Sequence, residues 1–414
     1  TATVSETATI VWNGQTTTLL IGSTTEATAA ASIAAAINTL AGAANPASSA
    51  GAVVTVTGTD YAEMTLTAVP TGGTVSTTLT VSEATAHVTA VAAVTAAQFD
   101  ASGFTGTTAL NLTAVGGANV KGAATQDVVL TNTGNGAVTI SGGKSVTAAD
   151  AGTGAKTISG SALTNVTVTG GTGLVTIDNL GGAAGTTTST GTTMTSVTLN
   201  NVDNNSAVKG AALTSISIDN VDTNARTITV TNATASHELT INSTKTGYQA
   251  NGTTEQQTVI TDVAATTLNV AASGKTSLDL SNNSAATSIK VTGAGAVKLA
   301  ADMATVTSID ATGSSGGVNI GIVDGATLAI TGGTGVDKVT LNTASIAYDV
   351  DMGAGNDVVT LSAALAATVA IDGGAGEDTL VINNATATLL TDAIKDGVTG
   401  FETLSVTAST DTIA

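Results

Sequence analysis

Residues 331–380 read TGGTGVDKVT LNTASIAYDV DMGAGNDVVT LSAALAATVA IDGGAGEDTL. One loop occurs three times in this stretch: Gly332-Gly333-Thr334-Gly335-Val336-Asp337, Met352-Gly353-Ala354-Gly355-Asn356-Asp357 and Gly373-Gly374-Ala375-Gly376-Glu377-Asp378. Each copy runs into an alternating segment such as Val339-Thr340-Leu341 or Val358-Val359-Thr360-Leu361. The closing aspartates, Asp337, Asp357 and Asp378, are almost evenly spaced, so the loop returns once per turn of a regular structure. A nearly fixed period of this size is the mark of a solenoid, in which each repeat buries its apolar face only against its neighbours.

The composition of the loop matches the needs of a calcium ion. Calcium takes about 6–8 oxygen ligands at roughly 2.3–2.6 Å, and a short loop reaches that number by turning its own carbonyls inward. Such a backbone needs positive φ, which glycine adopts without steric cost. Aspartate adds the charge that carbonyls lack. In a stack, the carboxylate of one coil lies within reach of an ion held by the next, so each ion would clip two coils together. The expected ligand set is Gly332, Thr334, Asp337, Gly353, Gly355, Asp357, Gly374, Gly376 and Asp378. Asp351 and Asp372, just before two of the loops, join it as extra ligands or as groups orienting them. Met352 replaces the first glycine of the second copy and is expected to shift that loop slightly.

These loops resemble the glycine- and aspartate-rich nonapeptides of RTX (repeats-in-toxin) proteins, a calcium-binding β-helix repeat. In that family the loop returns every nine residues on both edges of the roll, whereas here it appears at every second turn. The intervening turns, Asn342-Thr343-Ala344-Ser345 and Ser362-Ala363-Ala364-Leu365, carry no acid. One metallated edge and one ordinary edge are therefore expected. Gly400-Phe401-Glu402-Thr403-Leu404 is similar to a phrase found after RTX repeats in bacterial S-layer proteins.

Upstream, from about residue 96, a second pattern repeats. Leu163-Thr-Asn-Val166-Thr-Val168, Met194-Thr-Ser-Val197-Thr-Leu199, Leu213-Thr-Ser-Ile216-Ser-Ile218, Ala286-Thr-Ser-Ile289-Lys-Val291 and Val306-Thr-Ser-Ile309 form one series. Between them fall Ala137-Val-Thr-Ile140, Leu174-Val-Thr-Ile177, Arg226-Thr-Ile-Thr-Val230, Glu238-Leu-Thr-Ile241 and Val318-Asn-Ile320. Alternation of apolar and small polar residues predicts strands with one buried face. Two strands and two turns in about 20 residues make one coil of a parallel β-solenoid. The outward threonines are expected to hydrogen-bond along the stack.

Residues 1–95 differ. Ala8 to Trp12, Asn13-Gly14 and Thr16 to Ile21 predict a hairpin, since Asn-Gly favours a two-residue turn. Ile33, Ala36, Ile37 and Leu40 have helical spacing, with Ser23 or Thr24 as cap. Strands at Val53 to Thr57 and Met64 to Val69 complete a small ββαββ module, similar to one in bacterial surface-layer and phage tail proteins. Pro46 and Pro70 fall in its loops, and Trp12 reads as a core anchor. The expected organisation is therefore this α+β module at 1–95, a Thr/Gly-rich solenoid at 96–330, calcium-binding coils at 331–388 and a cap with a tail at 389–414. In the cap, a short helix at Leu389 to Asp396 and Phe401 are expected to cover the open edge that would otherwise template aggregation.

Composition supports a narrow β structure. Of 414 residues, 42% are hydrophobic but only 2% aromatic, which suits thin coils tiled with small branched side chains better than a wide core. Thirty acids against 11 bases give a net charge of −19, which excludes nucleic acid as an expected partner. Zero cysteines exclude a disulfide scaffold and a Cys-ligated zinc site. No apolar run reaches the roughly 18 residues of a membrane span, so no membrane insertion is expected. Thr1-Ala2-Thr3-Val4 has no basic n-region and no initiator Met, as after processing or within a longer product.

Enzyme motifs fail on inspection. Gly313-Ser-Ser315-Gly-Gly317 matches the hydrolase elbow, but a strand rather than a helix is expected after it. Gly143-Lys144-Ser145 and Gly274-Lys275-Thr276 lack the upstream glycine of a phosphate loop, with Val138 and Asn269 in its place. His87 and His237 are the only histidines, and His237-Glu238 reads as a polar pair on the surface of a strand. Asp203, Asp219 and Asp222 read as solvated or turn-capping acids, with a weak further calcium site as the alternative.

What the resemblance implies is a non-enzymatic extracellular protein of the bacterial cell surface, folding with Ca2+ and self-assembling into an S-layer lattice or filament, with cell-surface polysaccharide as a further partner. The family's C-terminal type I secretion signal would correspond to Ser409–Ala414. Two alternatives stay open: a calcium-dependent adhesin or biofilm-matrix module, and the RTX appendage of a secreted enzyme.

Overall fold

The computed structural model describes residues 6–12, 15–21, 26–41, 47–50, 53–58, 64–69, 78–83, 90–94, 97–104, 106–179, 191–219, 225–248, 254–299, 303–321, 327–342, 347–362, 369–382 and 396–406. Several expectations lie outside them: the Asn13-Gly14 turn, the Ser23 and Thr24 caps, Pro46, Pro70, His87, Asp222, the turns at 343–346 and 363–368, most of the 389–396 segment, and Ser409–Ala414. The chain is mainly β, a parallel β-solenoid with a single short helix among the described residues. It divides into two compact units, Thr1–Ala212 and Leu213–Ala414.

The first unit opens with the expected hairpin, Glu6–Trp12 antiparallel to Gln15–Ile21 with Trp12 opposite Gln15. The helix spans Glu26–Ala41. Its Ile33 and Ile37 are buried, while Ala36 and Leu40 are only partly covered. A strand not foreseen, Ala47–Ala50, pairs antiparallel with Val53–Gly58. The next strands already stack as coils: Val53–Gly58 lies parallel to Thr78–Glu83, and Met64–Val69 parallel to Ala90–Val94. Thr78–Glu83 pairs in turn with Ala97–Asp100, and Ala90–Val94 with Ala109–Ala114.

From there consecutive strands alternate between two parallel sheets, and each residue stacks on its counterpart one coil earlier. In one sheet Ile140, Ile158, Ile177 and Val208 form an inward column, all fully buried. In the other, Val146, Val166 and Val197 do the same. Outward positions hold Thr139, Thr157 and Thr176 in register. The first residues of the repeated phrases, Leu163 and Met194, fill the corners between sheets and are fully buried.

The second unit follows the same rule. Leu239, Leu268, Ile289, Ile309, Ile330, Val350 and Ile371 make one unbroken inward column. Threonines at the corners donate along the stack, Thr305 Oγ1 to Ala286 O at 2.8 Å and Thr307 Oγ1 to Thr287 O at 3.3 Å. After Ser308–Ser314 comes the strand Val318–Ile320, so the Gly313–Gly317 segment joins two strands. The last described strand, Thr403–Val406, stacks on Thr379–Ile382, yet Leu404 and Val406 are 53% and 40% exposed. Phe401 is half-buried beside them, lining with Leu380, Val398 and Leu404 a recess of about 250 Å³.

Because each coil adds only one thin layer to the core, each inward residue has a counterpart in both neighbouring coils and a cavity there has few atoms free to fill it. Ile177→Ala, at a fully buried position, should cost roughly 2–5 kcal/mol, read as a lower urea midpoint at unchanged slope; a loss under about 0.5 kcal/mol, the range of ordinary surface substitutions, would contradict this packing.

Candidate functional site

The three glycine loops form one corner of successive coils in the second unit. Their backbone continues the parallel ladder around the bend: Gly332 N donates to Asp351 O and Met352 N to Asp372 O, at 2.7 and 3.0 Å. Ala354 N and Ala375 N then donate to Gly333 O and Gly353 O, at 2.9 and 2.8 Å. Positive φ appears at Gly353 (82°) and Gly355 (148°), and at Gly374 (88°) and Gly376 (154°). The first loop departs from expectation, since Gly332, Gly333 and Gly335 all lie outside the left-handed region. Met352, in the place of the first glycine of its loop, donates its amide to Asp372 O within the ladder, and its side chain is fully buried.

The aspartates at the loop ends are the chemical centre of this corner. Asp337, Asp357 and Asp378 are 2%, 0% and 0% exposed. Each carboxylate reaches back one coil: Asp378 Oδ1 accepts from Asp357 N and Asp357 Oδ1 from Asp337 N, both at 2.7 Å. Asp337 accepts from Val318 N at 2.6 Å and Gly333 N at 2.8 Å. Glu402 Oε2 continues the column into the last coil, accepting from Asp378 N at 2.7 Å. The sequence reading assigned Glu402 only to the cap; its signal was the alignment of Gly400-Phe401-Glu402 with Gly376-Glu377-Asp378.

The column is charged but incompletely satisfied. Both oxygens of Asp337 are hydrogen-bonded, whereas Oδ2 of Asp357 and Oδ2 of Asp378 are buried without a hydrogen-bond partner. Burial disfavours the charged form. It pushes the Asp357 carboxyl up to about 6, with the charges of Asp337 and Asp378 adding to the rise and the Asp337 amide opposing it. Asp337 is also raised by burial, against the pull of the Gly333 and Val318 amides.

The other expected ligands are placed differently. Asp351 and Asp372 are exposed and adjacent in register, and each caps its own turn, Asp351 Oδ1 accepting from Gly353 N at 3.0 Å and Asp372 Oδ1 from Gly374 N at 3.1 Å. Thr334 is exposed. Among the described residues no group of three or more His, Cys, Asp or Glu side chains gathers tightly enough to hold a metal ion. The acids are strung one per coil, so a cation here would draw carboxylates from adjacent coils and complete its shell with carbonyls. Two orphaned carboxylate oxygens in consecutive coils fit that role.

His237 is also corrected. Its ring does not face solvent but is wedged between coils, with Nε2 2.8 Å from Oδ2 of the buried Asp262 and Nδ1 2.8 Å from Thr234 O. The partner lies one coil onward, where no local pattern reveals it.

No protein-family model matches the chain, and comparison with curated proteins returned no match. Among the described residues no helix is long and apolar enough to cross a membrane.

An acid whose folded pKa lies above its unfolded value holds more protons in the folded state, so stability falls as pH rises between the two. For Asp357 that window runs from the ordinary value near 3.9 to about 6. With divalent ions chelated, the urea midpoint of the second unit should fall as pH rises through this window, by up to roughly 3 kcal/mol of stability, and Asp357→Asn should flatten the fall. A midpoint that rises over the same interval would contradict the buried column.

Proposed function

We propose that the chain is a non-enzymatic, calcium-stabilised structural protein of the extracellular bacterial surface, one that self-assembles into a lattice or filament. The observation that carries this reading is the column Asp337, Asp357, Asp378, with two buried carboxylate oxygens left without partners. An uncompensated buried carboxylate is costly. Calcium, a hard cation bound by carboxylates and carbonyls, supplies the missing positive charge. Asp337, Asp357 and Asp378 would hold it, with backbone carbonyls of the Gly332–Gly335, Gly353–Gly355 and Gly374–Gly376 loops.

Coupled folding follows from this arrangement. At low calcium the stacked carboxylates repel and the C-terminal coils are weakened. At calcium above the roughly 10⁻⁴–10⁻³ M affinities of extracellular modules the coils lock. Stiff coils with regular outward faces can then meet further copies of the chain through repeated heterologous contacts. Cell-surface polysaccharide would be the attachment partner. The resemblance to RTX-type S-layer proteins favours the same reading.

Electron microscopy of the purified chain should show ordered sheets or fibres in millimolar calcium that disperse in EGTA; monodisperse particles under both conditions would contradict assembly. Within the column, Asp357→Ala should raise the calcium concentration needed for stabilisation by more than Asp337→Ala, because Asp357 has an oxygen unclaimed by an amide and Asp337 has none. Equal effects would contradict the shared-ion arrangement.

A further inference from the structure

Another buried charged cluster lies in the first unit, where Asn132, Asp150 and Lys156 are 2%, 3% and 0% exposed. Asn132 ends the strand Asp127–Asn132, and Asp150 ends the neighbouring strand Ser145–Asp150, directly beside it in register. Lys156 begins Lys156–Ser159 on the opposite sheet. The three side chains meet at the corner between two coils. Asp150 Oδ2 is 2.9 Å from Lys156 Nζ. Asp150 Oδ1 accepts from Asn132 Nδ2 at 3.0 Å and from Gly152 N at 2.9 Å.

One carboxylate therefore holds an amine on one oxygen and a carboxamide on the other. Asn132 Oδ1 in turn accepts from Gly117 N at 3.2 Å, and Asn132 Nδ2 also donates to Gly134 O at 2.9 Å. The amine is closed in by backbone: Gly154 O is 3.3 Å from Nζ, and a side chain at Gly171 would collide with it. As a permanent ion pair this is a poor stabiliser, because desolvating each ion costs several kcal/mol and apolar replacements of such pairs are often neutral or better. As a set of reactants it is well composed. It contains a nucleophile, an acceptor carbonyl, a shared proton carrier, and a backbone N–H where negative charge would develop.

We propose that Lys156 and Asn132 form an intramolecular isopeptide bond, with Asp150 carrying the protons. Asp150 takes a proton from the Lys156 ammonium across the 2.9 Å between Oδ2 and Nζ. The freed Nζ adds to Cγ of Asn132 while the Gly117 N–H stabilises the carbonyl oxygen. Asp150 then delivers its proton to the departing amide nitrogen, the Cγ–Nδ2 bond breaks and ammonia leaves. Asp150 finally takes the remaining surplus proton from Nζ. Ammonium, carboxylate and carboxamide thus become a secondary amide, a carboxylic acid and ammonia, balanced in atoms and charge with no outside reagent. The bond closes the segment from Asn132 to Lys156 into a loop across two coils, in a chain without cysteine. It fastens the coils as a disulfide does elsewhere, independently of any calcium.

Intact-mass spectrometry of the unaltered full chain tests this, followed by tryptic mapping. The expected mass lies one ammonia below the sequence value. Residues 122–144 should be joined to residues 145–209, with no cleavage after Lys156. Asp150→Asn and Lys156→Met should restore the full sequence mass, with circular dichroism reporting whether each folds; the result on the unaltered chain stands without them. An undiminished mass would overturn the proposal. So would loss of water mapping to an Asp150–Lys156 bond, or loss of ammonia mapping to the Asn135-Gly136 pair instead.

Discussion

A parallel solenoid sets every residue above its own counterpart from the coil before, and this register governs the rest of the molecule. Where the counterparts are Ile, Val and Leu, stacking gives continuous apolar columns such as Leu239 to Ile371, and small side chains suffice because each layer is thin. Where they are acids, the same rule piles like charges on one another. Asp337, Asp357 and Asp378 cannot avoid each other without breaking the ladder that their own amides help to build.

That conflict is only partly resolved within the chain. Each carboxylate offers one oxygen to the amide of the preceding coil, which ties the corner together and orients the side chain. At Asp357 and Asp378 the second oxygen is left over. A proton can satisfy it, as the raised Asp357 value indicates, and a divalent cation can satisfy it at neutral pH. The corner is thus held in place by hydrogen bonds, while the second oxygens of Asp357 and Asp378 have no hydrogen-bond partner. The exposed Asp351 and Asp372, spent on capping turns, are not in this position.

The coil architecture and the aspartate column were legible in the sequence because the period from Asp337 to Asp357 to Asp378 is short and nearly constant. Val, Ile and Leu alternating with Thr marked the inward positions in both units. The limits have the same physical origin. Partners in a stack are one coil apart, and coil length varies, so that the steps from Asn132 to Asp150, from His237 to Asp262 and from Asp378 to Glu402 are all unequal. Without a constant period, nothing local reveals that His237 meets Asp262 or that Asn132, Asp150 and Lys156 share one pocket, and Glu402 is marked only by the likeness of Gly400-Phe401-Glu402 to Gly376-Glu377-Asp378. The positive φ values were legible at Gly353, Gly355, Gly374 and Gly376 but not their absence in the first loop, where the neighbouring coil ends in Gly316-Gly317 rather than in another acidic loop.

We propose that the aspartate corner needs an external counter-charge to become rigid at neutral pH. Amide hydrogen exchange of peptides covering 331–382, followed by mass spectrometry in EGTA and in millimolar calcium, tests it most directly. Slow exchange is expected at the Asp337 and Asp357 amides only with calcium, while peptides of the upstream apolar columns should exchange equally slowly in both. Equal protection of the corner in EGTA and calcium would contradict it.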